Sequence, residues 1–369
     1  MNASFWRDRR VFVTGHTGFK GSWLCLILER LGAKVFGFAL APPTSPSLFA
    51  LAGIDERICS FDGDVRRFAE LRAAMRGCAP EIVIHLAAQP TVRQSYADPV
   101  TTYATNVMGT VHLLASVREV ASVRAVVNVT SDKCYRNERG GVFFAEDDAL
   151  GGRDPYSNSK ACAELVTEAF RKSYFNPPMS TIAVASARAG NVIGGGDWAA
   201  DRLIPDAIRS CLAGKPVAIR NPTAIRPWQH VLEPLTGYLS LAERLWHGGA
   251  EFAEGWNFGP DQDDATPVHA IVDRVTELWG EGASWQISGG EHPHEASCLR
   301  LDCTKARGRL GWRPRIDLDL ALHWTVDWYK RWTAGDDARE LCHEQIDRFL
   351  SHDMGEKWIC PSAGFAKAG

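Results

Sequence analysis

The first half of the chain alternates short, continuously apolar runs with stretches whose apolar residues recur at helical spacing. Residues 10–13 and 34–40 are two such runs, and between them residues 21–31 carry Trp23, Leu24, Ile27, Leu28 and Leu31 on one helical face. Further strands are predicted at 58–61, 82–86, 125–129 and 180–187, with helices over 66–75, 99–120 and 156–174. Strands that are apolar throughout are buried on both faces. Their alternation with helices specifies an α/β fold with a parallel, doubly wound sheet.

Beyond Gly190 the texture changes. Gly194, Gly195 and Gly196 follow one another, and Pro205, Pro216, Pro222, Pro227 and Pro234 punctuate what comes next. Helical spacing returns over 203–213, 235–246, 268–278 and 318–332, so this part reads as mixed α/β with long loops. A chain of 369 residues exceeds the size at which one core usually stops growing. Two lobes are therefore expected. Residues 1–190 form a domain on the parallel sheet, to which part of about 223–258 returns, and residues 191–369 form a smaller mixed α/β lobe. No internal repeat occurs, and residues 353–369 are weakly patterned.

Composition narrows the class without naming a chemistry. Hydrophobic residues make up 45% and charged residues 23%, and the net charge of −3 leaves no footprint for nucleic acid or an anionic membrane surface. No apolar window is long enough to span a bilayer, and the N-terminal residues lack the apolar segment of a secretory signal. The ten cysteines are dispersed, with no CxxC pair and no histidines at zinc-finger spacing, so neither disulfides nor a metal is expected. A reducing, cytoplasmic setting fits that usage.

The junction of the first strand and helix reads Gly15-His16-Thr17-Gly18-Phe19-Lys20-Gly21. Glycine at every third position lets the backbone turn tightly, approach a pyrophosphate and pack the helix on the strand. The helix N-terminus then offers free N–H groups and a favourable dipole to phosphate oxygens. This predicts a Rossmann-type dinucleotide site at Gly15, His16, Gly18, Phe19 and Gly21. The second strand ends Gly37-Phe38-Ala39-Leu40-Ala41, with no acid for a ribose 2′-hydroxyl and no arginine for a 2′-phosphate. That position leaves NAD and NADP both open. His16 puts an imidazole into the turn, which predicts weaker retention of the dinucleotide.

Two segments carry candidate chemistry. Tyr156-Ser157-Asn158-Ser159-Lys160 sets a phenol and an ammonium on one face of a helix. A nearby cation lowers a phenol's pKa and makes Tyr156 a candidate general base. The strand at 125–129 stops at Thr130-Ser131-Asp132-Lys133, and ligands of open parallel sheets lie outside the carboxyl ends of their strands. Ser131, with Thr130 adjacent, is placed to hydrogen-bond a substrate oxygen or else to close an ST-turn. Asp132 beside them is placed to give or take a proton. Lys133 acts as a base only where burial or a neighbouring cation depresses its pKa; otherwise it orients Asp132 or a water.

These segments, with HLAAQPTVRQSY at 85–96, TSDKCYRN at 130–137, DPYSNSKACAEL at 154–165 and RAGNVIGGGDWAADRLIPD at 188–206, resemble the sugar-nucleotide 4,6-dehydratases. Those enzymes form a branch of the extended short-chain dehydrogenase/reductase family, and the resemblance covers roughly residues 8–335. It implies NAD as cofactor and a nucleotide sugar, CDP-glucose foremost, as substrate of an internal redox cycle. In that cycle Tyr156, Lys160 and Ser131 serve oxidation at carbon 4, and Asp132 serves loss of water from carbon 6. Relatives often carry glutamate after this aspartate, where the chain has Lys133.

The resemblance also implies adenine contacts from Asp64 and Val65, unless Asp64 caps the next helix. Leu86, Ala87 and Ala88 would lie beneath the pyrophosphate, with Asn106 toward the cofactor. Gln89, Arg188, Asn191, Trp198, Arg220 and Arg226 would meet the substrate. It further implies a homodimer or dimer of dimers joined through helices 99–120 and 156–174. The product would feed dideoxy sugars of surface polysaccharides such as lipopolysaccharide O-antigen. Two rivals stand beside this reading. A nucleotide-sugar 4-epimerase would need no Asp132, and a non-catalytic NAD-binding regulator would need none of Tyr156, Lys160 and Ser131.

Overall fold

Seven strands build the centre of the molecule, the inner ones apolar and buried on both faces and the one at Cys59–Asp62 an exposed edge. They are β1 (Arg10–Thr14), β2 (Lys34–Ala39), β3 (Cys59–Asp62), β4 (Ile82–His85), β5 (Ala125–Val129), β6 (Ala183–Ala189) and β7 (Gly255–Phe258). The computed structural model describes residues 2–138, 143–176, 178, 180–261, 265–288 and 299–351; the tail at 353–369, Cys298 and Cys360 lie outside them. All pairings among the seven strands are parallel, in the order β7-β6-β5-β4-β1-β2-β3. This is the doubly wound sheet that the sequence predicts, and its order reverses between β1 and β4.

Alternate residues of one strand feed different cores. Val11 and Val13 pack with Trp23, Leu24 and Ile27 of α1 (Phe19–Arg30). Phe12, between them, packs on the other face with Leu71 and Met75 of α2 (Phe68–Cys78) and Leu113 and Val117 of α3 (Gly109–Val117). α4 (Pro155–Tyr174) lies beside α3. On the opposite face α5 (Leu232–Gly248) covers β5 and β6, so this late segment packs on the first-half sheet. A separate three-stranded sheet joins Asn191–Ile193, Ile225–His230 and Ala265–Pro267 beyond the ends of β5 and β6.

Three local features differ from the expectations. The helix predicted at 99–120 is Pro99–Tyr103, a π-helical turn Ala104–Met108 and then α3, because the Asn106 amide is drawn to the Gln89 backbone and to Ser159. α2 starts at Phe68 because the Asp64 carboxylate accepts from the Arg66 backbone N–H at 2.9 Å and from its guanidinium, which holds a turn; Asp64 is no N-cap. Helices α6 (Leu318–Thr333) and α7 (Ala338–Ser351) end the described chain, and α7 was not expected. It buries Leu341, Cys342, Ile346 and Phe349 and packs on α1. Among the described residues no helix is long and apolar enough to cross a membrane.

Candidate active site

Gly15 has a φ of +75°, and a Cβ there would lie 2.7 Å from the Ala87 nitrogen. A Cβ on Gly21 would lie 2.1 Å from the Gly15 carbonyl oxygen, so the turn and α1 close only over glycine. Gly18 caps α1 with no side-chain bond, which leaves the first N–H groups of the helix for a ligand. Thr14 Oγ1 accepts from the Leu86 and Ala87 N–H groups at 3.2 Å each, tying the loop after β4 to the glycine turn. His85, at the end of β4, is fully enclosed, bonded to Thr14 at 2.6 Å and held neutral, its pKa pushed down to about 3 by burial. The cradle has the shape a dinucleotide pyrophosphate requires.

A cavity of about 1060 Å³ opens from this cradle to the ends of β5 and β6. That volume reaches the upper end of single-ligand pockets, room enough for a cofactor and a substrate side by side. Gly15, Gly18, Phe19, Gly21, Asp64, Val65, Leu86, Ala87 and Ala88 line one end. His16 does not line it, which corrects the expectation of an imidazole in the phosphate turn. Its ring points away from the cavity, bonds Ser60 Oγ at 2.7 Å and meets Phe49 edge-on; burial pushes its pKa down to about 4. Asn106 is likewise no lining residue: it is buried and holds Gln89, with Oδ1 accepting from the Gln89 N–H at 2.9 Å.

At the other end the cavity is lined by Thr130, Ser131, Asp132, Lys133, Tyr156 and Lys160. Asp154 caps α4 by accepting from the Ser157 N–H at 2.9 Å and Pro155 opens it, so Tyr156 and Lys160 fall in its first turns. The Tyr156 hydroxyl lies close to Ser131. Ser131 Oγ also donates to Asp132 Oδ1 at 3.0 Å and accepts from the Lys133 N–H, so it does close an ST-turn while meeting the phenol. A Cβ on Gly190 would come 2.9 Å from Asp132 Oδ2; glycine there leaves the carboxyl its place.

The electrostatics of this end are those of an enclosed site. Burial raises the Asp132 carboxyl above the usual range against the pull of Lys133, Ser131, Arg226 and Lys20. The expected depression of the phenol is not found: burial pushes Tyr156 up to about 12, with Ser131 and Arg202 acting against it. Lys160 comes down to about 8, by burial, with Glu164 opposing. Lys20, from the first turn of α1, reaches the same region; burial and Arg202 bring it down to about 7.

Gln89, Asn191, Trp198, Arg220 and Arg226 also line the cavity. Arg220 and Arg93 meet across Asp201, at 2.6 and 3.2 Å. Arg188, expected to meet substrate, does not line the cavity. It is buried behind it, paired with Glu164 at 2.8 Å and donating to the Tyr135 hydroxyl at 2.7 Å. The sequence reading passed over Lys20, Arg93 and Arg202, which do line it. A lysine on an otherwise apolar helix start was the signal for the first; for the two arginines only their place inside the quoted segments pointed to them.

A model of the NAD dependent epimerase/dehydratase family matches residues 11–251. The chain is 54% identical over 354 residues to a CDP-glucose 4,6-dehydratase of Salmonella typhimurium, covering 95% of this chain and 99% of that one. It is 26% identical to a dTDP-glucose 4,6-dehydratase of the same organism, over 87% of this chain and 92% of the relative. Among solved structures it resembles DesIV, a dTDP-glucose 4,6-dehydratase of Streptomyces venezuelae with NAD and TYD bound. The TM-score is 0.74 at 26% identity, over 87% of this chain and 97% of DesIV.

Proposed function

The chain belongs to the NAD dependent epimerase/dehydratase family, and we propose that within it the protein converts CDP-glucose to CDP-4-keto-6-deoxyglucose and water. One observation carries the choice of dehydration. Asp132 is a carboxylic acid enclosed in the cavity beside Ser131 and Tyr156, with its protonated form favoured by burial. Such an acid can hand a proton to a leaving hydroxide. A 4-epimerase expels nothing and has no use for it. The 54% identity to a CDP-glucose enzyme supports cytidine over other bases.

NAD, bound along Gly15, Gly18, Phe19, Gly21, Asp64, Val65 and residues 86–88, supplies a hydride acceptor at carbon 4 and a hydride donor at carbon 6. Tyr156, once it has lost its own proton against the burial that disfavours a phenolate, takes the proton of the carbon-4 hydroxyl, with Ser131 beside the phenol and Lys160 adding positive charge. The resulting ketone acidifies carbon 5. Asp132 protonates the carbon-6 hydroxyl as water leaves, and Lys133, next to it, takes the carbon-5 proton only as a neutral amine and otherwise orients Asp132 or a water that takes it. Asn191, Arg220 and Arg226 are the candidates for the diphosphate, which guanidinium groups grip in bidentate fashion. Gln89 and Trp198 border the sugar.

The proposed division has residues 1–190 and part of about 223–258 forming the cofactor domain and 191–369 the substrate lobe; the packing of α5 on β5 and β6 supports it. Val100, Met108 and Leu165 are exposed on the helices at 99–117 and on α4, which supports a homodimer, or a dimer of dimers, joined there. The proposed setting is the cytoplasm, supplying dideoxy sugars for surface polysaccharide such as O-antigen. Incubating the protein with CDP-, UDP-, dTDP- and GDP-glucose side by side tests the reading. The expected result is the alkali-induced near-ultraviolet absorbance of a 4-keto-6-deoxy sugar, strongest with CDP-glucose. No signal with any of the four would overturn it.

A further inference from the structure

Tyr156, Lys160 and Glu164 recur at four-residue spacing along α4 and so share one helical face. Glu164 is 4% exposed, and both carboxylate oxygens are engaged. Oε1 accepts from the Thr130 hydroxyl, and Oε2 accepts from Ser186 Oγ at 2.6 Å and Arg188 Nη2 at 2.8 Å. Thr130 immediately precedes Ser131. One carboxylate therefore joins the helix that carries Tyr156 to the strand end that carries Ser131 and Asp132.

The groups that face Lys160 come from four elements: Glu164 on α4, Cys134 from the turn after β5, Lys20 from α1 and His85 at the end of β4. His85 is neutral and Lys20 repels an ammonium. Burial keeps the Cys134 thiol protonated. The negative charge in this set is Glu164, which itself faces Arg188 and Arg171. A buried ammonium with no counter-charge gives up its proton. Pairing with Arg188 alone is a weak reason for a carboxylate here, since buried ion pairs often add little net stability.

We propose that Glu164 is a positioning residue for the proposed dehydration: its carboxylate keeps Lys160 an ammonium and fixes the end of β5 against α4. The proposal rests on the roles given above to Tyr156 and Lys160. Lys160 serves the phenol only as a cation, so activity should end on the alkaline side where Lys160 loses its proton. Glu164→Gln removes the charge and keeps the shape. It should move the alkaline limb of kcat/KM to lower pH, by on the order of one unit for a neighbouring charge. Glu164→Asp should bring the limb back toward that of the wild type, and Ser186→Ala, which drops one hydrogen bond and no charge, should leave it in place.

Lysine ¹³Cε resonances give a readout that needs no substrate, and with ten lysines in the chain that of Lys160 is assignable by Lys160→Met. Lys160 should titrate at lower pH in Glu164→Gln than in the wild type. An unmoved Lys160 titration, or an unmoved alkaline limb, would overturn the proposal. Should Glu164→Gln not fold, the wild-type titration decides: Lys160 charged at neutral pH is the expected result, and Lys160 neutral there overturns it. Because this arm is independent of turnover, it judges Glu164 whether or not CDP-glucose is the substrate.

Discussion

At the scale of single residues, Asp132 separates the proposed dehydratase from a 4-epimerase, since the roles proposed for Tyr156, Lys160 and Ser131 suit any chemistry that begins by oxidising an alcohol. Asp132→Asn should slow elimination by the ~10²–10⁴-fold typical of one general acid while sparing carbon-4 oxidation. Single-turnover absorbance of reduced nicotinamide would then rise and persist; equal loss of both half-reactions would remove the assignment. Asp132 was legible because it follows a strand end in a parallel sheet. The direction of the Tyr156 shift was not, because spacing places Lys160 on the same helical face and says nothing of desolvation, the largest influence on this phenol. His16 shows the same limit. Its place in the glycine turn is written in the sequence, but its rotation away from the cavity is set by Gly37, where a Cβ would come 2.5 Å from the imidazole. His16→Ala should therefore leave NAD affinity no tighter and cost roughly 2–5 kcal/mol of stability, as large-to-small core changes do. Thermal unfolding and NAD titration check both halves.

Among elements, the strand–turn–helix unit at 10–30 was the most legible, because Gly15 and Gly21 answer steric demands that only glycine meets. Gly21→Ala puts a methyl group 2.1 Å from the Gly15 carbonyl oxygen. It should weaken NAD binding at least tenfold, measured by fluorescence titration, and unchanged affinity would contradict the cradle described above. The π-helical turn at Ala104–Met108 was not legible, since periodicity cannot show a hydrogen bond that slips by one residue when Asn106 finds Gln89 and Ser159. α7 is a different failure. Ala338, Leu341, Cys342, Gln345, Ile346 and Phe349 are buried at ordinary helical spacing, a pattern that stood in the sequence unread.

For the whole molecule, three buried histidines predict how stability follows pH. His16 is held down to about 4 and His85 and His230 to about 3 by burial, below the value of an unfolded histidine near 6.5. Between those limits the unfolded chain binds more protons than the folded one, so stability is full above about pH 6.5 and falls as pH drops toward 4. The loss approaches about 1.4 kcal/mol per pH unit for each histidine across that window. The unfolding midpoint measured from pH 7.5 to 4.5 should decline throughout; a flat profile would contradict the neutral, buried assignments. The parallel sheet was legible from the alternation of apolar runs and helices. The cavity was legible only in part, because it is closed by the lobe, and Arg93, Arg202 and Lys20 meet there from segments far apart in sequence. The proposed reaction is an internal transfer of hydrogen from carbon 4 to carbon 6 with loss of water. It is tested most directly with CDP-glucose deuterated at carbon 4. Deuterium is expected in the carbon-6 methyl group of a 4-keto product; deuterium retained at carbon 4 of an unchanged or epimerised sugar would overturn the proposed transfer.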